Sequence, residues 1–148
     1  MKSLPALLTL AALLAAPAAP AADAYASVAA WNDDATTLGF QIEAFDKCRG
    51  HLAEKQRLGP CLQMWDDALK RRARMDAYAK ERLERDAGNF ENAELAGRAR
   101  DLGTKLDEAI AFLKPEVRKM GRAKVNALTA KDKAASGYRK TLDEFLRD

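Results

Sequence analysis

Four side chains within one short stretch, CRGHLAEKQRLGPCLQM at 48–64, are of types that bind metals or exchange electrons: Cys48, His51, Cys61 and Met64. Cys48 and His51 are spaced i, i+3, as are Cys61 and Met64. Two thiolates, an imidazole and a thioether would suit Cu(I), and the set without the thioether would suit zinc. The competing use of the same cysteines is a disulfide. Haem attachment needs Cys-x-x-Cys-His and thioredoxin-type exchange needs Cys-x-x-Cys, and the chain has neither.

The start of the chain bears on which chemistry applies. MKSLPALLTLAALLAAPAAPAADA has one lysine, an apolar run from Leu4 to Ala16, and a tail of alanines and prolines. These are the three zones of a secretory signal peptide, and the run is too short and alanine-rich for a membrane span. Residues 1–22 are therefore read as a signal, with cleavage expected between 21 and 24, and 23–148 as one helical domain. The alanine-rich style is that of bacterial leaders, so the expected location is the periplasm and the expected state is exported and soluble. Thiols there are normally oxidised, which favours a Cys48–Cys61 disulfide.

Helix signals around the cysteines set the geometry this requires. Leu38, Ile42 and Phe45 recur at helical spacing after the capping candidates Asn32 to Asp34, and Gly50 is a stop signal. Pro60 restarts a helix from its first turn, where a missing amide proton costs nothing. Continuous helices meeting near residue 58 would set Cys48 opposite Ala68 and leave the sulfurs about 10 Å out of register. A disulfide therefore predicts a first helix ending near Cys48 and a loop over 50–59, with His51 in that loop and away from the sulfurs. The metal reading needs a slipped register that pairs Cys48 with Met64 and His51 with Cys61.

The rest of the chain is rich in Ala, Leu, Glu, Lys and Arg and poor in glycine and proline, a helical composition. A second helix is expected from Pro60 to about Asp86, with Trp65, Leu69, Met75, Ala79 and Leu83 near one face. AGN at 87–89 punctuates it. Leu95, Ala99, Leu102, Leu106, Ala109 and Leu113 step by four and three, a narrow bundle seam, with Glu94–Arg98 and Asp101–Lys105 as flanking ion pairs. Pro115 is expected to break or kink that helix. Val117, Met120 and Val125 continue the pattern, and Thr129 with Asp132 would cap a last helix carrying Ala135, Tyr138, Leu142 and Phe145. The segment ADAYASVAAWNDD is either a helical lead-in that packs Trp31 or a flexible start. The fold class expected is all-α, a small bundle of four to five helices with one disulfide across a helix-loop-helix.

Charge is more informative locally than globally. Loss of Lys2 leaves 24 basic against 22 acidic residues, a balance that argues against nucleic acid as a partner. From Lys114 to Lys140, however, nine basic residues face only Glu116 and Asp132. Lys114, Arg118, Lys119, Arg122 and Lys124 form the candidate binding surface, fit for an acidic protein surface, anionic lipid or lipopolysaccharide. One histidine, no glycine-rich phosphate loop and no nucleophile motif leave hydrolase and transferase readings without parts, so no enzyme and no cofactor are expected. By analogy with other exported helical bundles, the function expected is binding of another protein, as a chaperone, inhibitor or envelope accessory factor. Metal binding through Cys48, His51, Cys61 and Met64, and binding to the anionic envelope surface, are the alternatives.

Overall fold

The computed structural model describes residues 24–147, so the leader read at 1–22 lies outside the described residues. Helix α1 (Val28–Ala44) starts where the Ser27 hydroxyl accepts from the Ala30 amide at 3.1 Å, an N-cap that supplies one of the orphan donors of the first turn. Asn32 to Asp34, expected to cap, lie inside this helix because Ser27 precedes them with the same chemistry. From Val28 onward the lead-in is thus helical, and it carries Trp31 to the centre of the fold, where the indole is fully buried. Its Nε1–H donates to the Met75 carbonyl at 3.1 Å, so the one polar atom of the ring is satisfied.

A one-turn 3₁₀ segment (Phe45–Lys47) extends α1 to Cys48, and helix α2 (Leu58–Arg85) begins two residues before Pro60. Asn89 then opens α3 (Phe90–Ile110), its Oδ1 accepting from the amides of Glu91 and Asn92 at 2.9 and 3.3 Å. Asn92, buried, turns back to donate to the carbonyls of Arg82 and Asp86, which closes the end of α2. Helices α1, α2 and α3 pack on one another, with Leu38, Leu62, Met75 and Leu106 in their shared core. The seam read on α3 does face that core: Leu95, Ala99 and Leu106 are buried, and Leu102 and Ala109 partly so. The ion pairs expected beside it are not found among the described residues. Arg98 instead lies over the Trp31 ring at 5.1 Å and donates to Asn32 Oδ1 at 2.8 Å.

The break after α3 falls at Ala111–Phe112, ahead of Pro115. Helix α4 (Leu113–Lys131) then carries that proline in its first turn, where it disrupts nothing. The kink in α4 is at Gly121, whose φ of 77° and ψ of 163° are a conformation that L side chains rarely adopt. Asp132 caps the single-turn α5 (Lys133–Ser136), and α6 (Arg139–Leu146) follows. Thr129, expected to share in capping, is buried within α4 and bonds the Asn126 carbonyl at 3.0 Å. Helix α6 packs on α4, and its Phe145 meets Trp65 of α2 edge to face at 5.6 Å. The result is an all-α bundle, with five helices of eight residues or more and no strand among the described residues.

The residues just before α1 are tied down by a polar cluster. The Tyr25 hydroxyl donates to Asp34 Oδ2 at 2.6 Å, and Arg71 and Arg74 of α2 pair with the same carboxylate. Burial and the Asp34 carboxylate push the Tyr25 hydroxyl up to about 12. Burial would raise Asp34 as well, but the Tyr25 hydrogen bond and the two guanidinium groups outweigh it and hold it below the usual range. The unfolded tyrosine releases its proton near 10.0 and the folded one near 12, so its contribution is full below the lower value and disappears as pH rises through the upper. Between about pH 9.5 and about pH 11.5 the native protein is expected to lose ~1 kcal/mol more stability than Tyr25→Phe, after discounting for partial solvation. Urea unfolding of the two proteins at both pH values checks this, and equal losses would mean that Tyr25 titrates normally.

Candidate functional site: a lysine-rimmed groove beside the disulfide loop

Cys48 and Cys61 are bonded, with Cα atoms 6.0 Å apart. Cys48 stands just beyond the 3₁₀ turn and Cys61 in the first turn of α2, so the bridge joins the end of one helical run to the start of the next. The loop over 48–57 winds through successive tight turns, with Gly50 and Gln56 at positive φ. Leu52 is its anchor, fully buried while its loop neighbours are exposed. His51 is exposed, and its Nδ1 lies 2.6 Å from Glu54 Oε1, a contact that holds the Glu54 carboxyl below its usual range. Met64 lies in α2, partly buried against the core. With the sulfurs joined to each other, neither is a thiolate ligand. No group of three or more metal-ligating His, Cys, Asp or Glu side chains is found among the described residues.

Two carboxylates fasten this loop and the start of α2 to α4 and α5. Glu116, just after Pro115 in the first turn of α4, accepts from the Gly50 amide at 2.9 Å and from the Leu52 amide at 3.0 Å. Asp132 accepts from the Gly59 amide at 2.9 Å while its other oxygen takes the Ala135 amide at 3.1 Å. The approach at Gly59 is close enough to exclude any side chain. A Cβ there would lie 2.4 and 2.6 Å from the Asp132 oxygens and 2.7 Å from the Ala134 methyl.

The loop and α4 enclose a groove formed by two depressions that share Ala53 and Lys124, one of about 580 Å³ and the other of about 390 Å³. Phe112, Pro115 and Met120 line the first, and Leu58 and Leu128 line the second, so the floor is apolar. Lys119 and Lys124 stand at the first, and Lys55, Lys124 and Lys131 at the second. The kink at Gly121 lets both halves of α4 contribute, Lys119 and Met120 from the first and Lys124 and Leu128 from the second.

The candidate basic surface divides in two. Arg118 bonds the carbonyls of Phe145 and Arg147 at the end of α6, and Arg122 pairs with Asp143 at 2.9 Å. Both arginines thus fasten α6 to α4. Lys114, Lys119 and Lys124 are exposed, and no ion pair to them occurs among the described residues. Lys131 and Lys55, outside that candidate surface, are in the same condition. A further depression between α2 and α3 contains Arg72 and Asp76, but Arg72 is already paired to Asp107 at 2.6 Å and to Asp76 at 3.4 Å. Glu116 and Leu52 were not legible as site residues. A carboxylate directly after a proline is a signal that could have pointed to Glu116 only if a helix start had been placed there, whereas Pro115 reads in the sequence as a break or kink.

These features define a small disulfide-clasped helical bundle with an apolar groove rimmed by lysines that have no partner among the described residues. No family model matches the chain, and no solved structure matches it. Among curated proteins, the oligopeptidase PepF of Bacillus subtilis (strain 168) is 26% identical over 127 residues, an alignment taking in 85% of this chain and 19% of that protein. The chain therefore spans about a fifth of the length of the relative it matches.

Proposed function

We propose that the chain is an exported, non-enzymatic helical protein that binds another polypeptide in the groove between the disulfide loop and α4. The observation that carries this reading is the pairing of an apolar floor, Phe112, Met120 and Leu128, with lysines that have no partner within the described chain. A concave apolar surface with a few polar groups at its edge is the usual form of a binding site. Export to the periplasm rests on the leader pattern at 1–22 and agrees with the disulfide. No helix among the described residues is long and apolar enough to cross a membrane.

The PepF relative is by name an oligopeptidase, and a peptide is the ligand class that likeness brings to mind. Peptide cleavage needs an activated nucleophile or a metal-held water. The sole histidine, His51, is exposed and engaged with Glu54, and the cysteines are joined to each other. Binding without cleavage is the part of peptide chemistry for which this chain has suitable groups.

Photo-crosslinking tests the reading. A crosslinking residue at Met120 is expected to capture polypeptide in the cell envelope, whereas one at Phe90 is not. Phe90 is 80% exposed and stands about 30 Å from Phe112 along α3 by helical rise. Capture no greater from Met120 than from Phe90 would sink it.

A further inference from the structure

The charges around the groove point to the chemistry of its occupant, which is a deeper claim that rests on the groove being a polypeptide site. Three carboxylates line the two depressions, and each is already engaged. Glu116 takes the Gly50 and Leu52 amides, Asp132 takes the Gly59 and Ala135 amides, and Glu54 faces His51 and Arg57. The groove's lysines have no such partners among the described residues. An ammonium group beside an apolar floor gains most from an anion brought in with an apolar body, because the approach displaces water from both.

The leader is not that anion, since residues 1–22 carry Lys2 as their only charge. From Phe112 to Leu128 the groove follows α4 across its kink at Gly121, a bent path of about 24 Å by helical rise, so about seven extended residues are the most needed to cover it. We propose that the occupant is an acidic extended segment of a partner protein, with apolar side chains set on Phe112, Met120 and Leu128 and carboxylates alternating toward Lys119, Lys124 and Lys131. Alternation suits an extended chain because its successive side chains point to opposite sides. The loop wall that holds the segment is itself fixed by the disulfide and by Glu116.

The test uses the oxidised mature protein and fluorescein-labelled heptapeptides. The acidic probe is Glu-Leu-Asp-Leu-Glu-Phe-Asp, and its neutral counterpart has every carboxylate replaced by the amide. Fluorescence anisotropy is expected to show the acidic probe binding at least about tenfold more tightly than the neutral one. Its binding is expected to weaken from about 0.05 to about 0.5 M salt as screening shortens. Lys119→Glu combined with Lys124→Glu, both at exposed positions, is expected to weaken the acidic probe by at least about tenfold with circular dichroism unchanged.

Equal binding of the neutral probe overturns the acidic preference. Binding that survives the double substitution overturns the placement in this groove. Absence of acidic-probe binding, or binding of phosphatidylglycerol vesicles in its stead, overturns the proposal outright. Crosslinking of polypeptide from Met120 reads the polypeptide site independently of the probe, so loss of the acidic preference and loss of the site itself are distinguishable.

Discussion

Replacing Cys48 and Cys61 together by alanine is expected to lower the unfolding free energy by about 3 kcal/mol, the loop-closure value for a bridge between cysteines this close in sequence. The separation is 13 residues, and both cysteines are buried at the junction of α1, the loop and α2. The double variant is still expected to fold. Leu52 remains a buried anchor, and Glu116 and Asp132 still hold the Gly50, Leu52 and Gly59 amides. The loss therefore falls mainly on the unfolded chain, which gains the freedom the bridge removed. Urea titration of the oxidised protein and the double variant measures it as a lower midpoint, with a slope equal or steeper because the unbridged unfolded chain is less compact. A difference below about 1 kcal/mol would mean that the loop is already ordered in the unfolded ensemble, against the entropic account. Because the loop is also one wall of the groove, the variant is expected to bind the acidic heptapeptide more weakly than the oxidised protein does.

Trp31→Ala is expected to cost about 4 kcal/mol, the largest effect of any single truncation in the chain. The indole is fully buried where α1, α2 and α3 meet, so its loss removes apolar burial from the centre of the bundle. The change also removes the hydrogen bond to the Met75 carbonyl and the stacking surface under Arg98. Trp31→Phe separates the terms, since it keeps most of the apolar area and loses the donor. It is expected to cost about 1–2 kcal/mol. Thermal unfolding followed by circular dichroism reads both variants. Near-equal losses would show that the hydrogen bond, and not the burial, dominates at this position.

How much of this was legible in the sequence varies from element to element. The α3 seam was readable because helical periodicity is a local property, and Leu95, Ala99 and Leu106 do face the core. The end of α1 near Cys48 and the loop after it followed from the requirement that two sulfurs meet. Pro115 was misplaced in its effect, because a proline reads alike as a helix breaker or a first-turn residue until the preceding boundary is known. The kink at Gly121 left no signal for a related reason, since a glycine in a helical pattern does not announce its dihedral angles. On the basic surface the sequence could count cations but not assign them: Arg118 and Arg122 are spent on α6, while Lys119 and Lys124 are left beside the groove.

The sequence by itself determined what depends on neighbours along the chain: helical elements, the expectation of an oxidising compartment, and a clasp between two cysteines in place of free thiols. Only the tertiary structure decided what depends on contacts across it. Glu116 reaches amides 66 and 64 residues away, and Asp132 reaches one 73 residues away. Those long-range bonds engage Glu116 and Asp132, two of the groove's three acids, while its lysines have no partner among the described residues. A carboxylate's partner is set by how helices meet in space, and no local pattern of residues encodes that meeting.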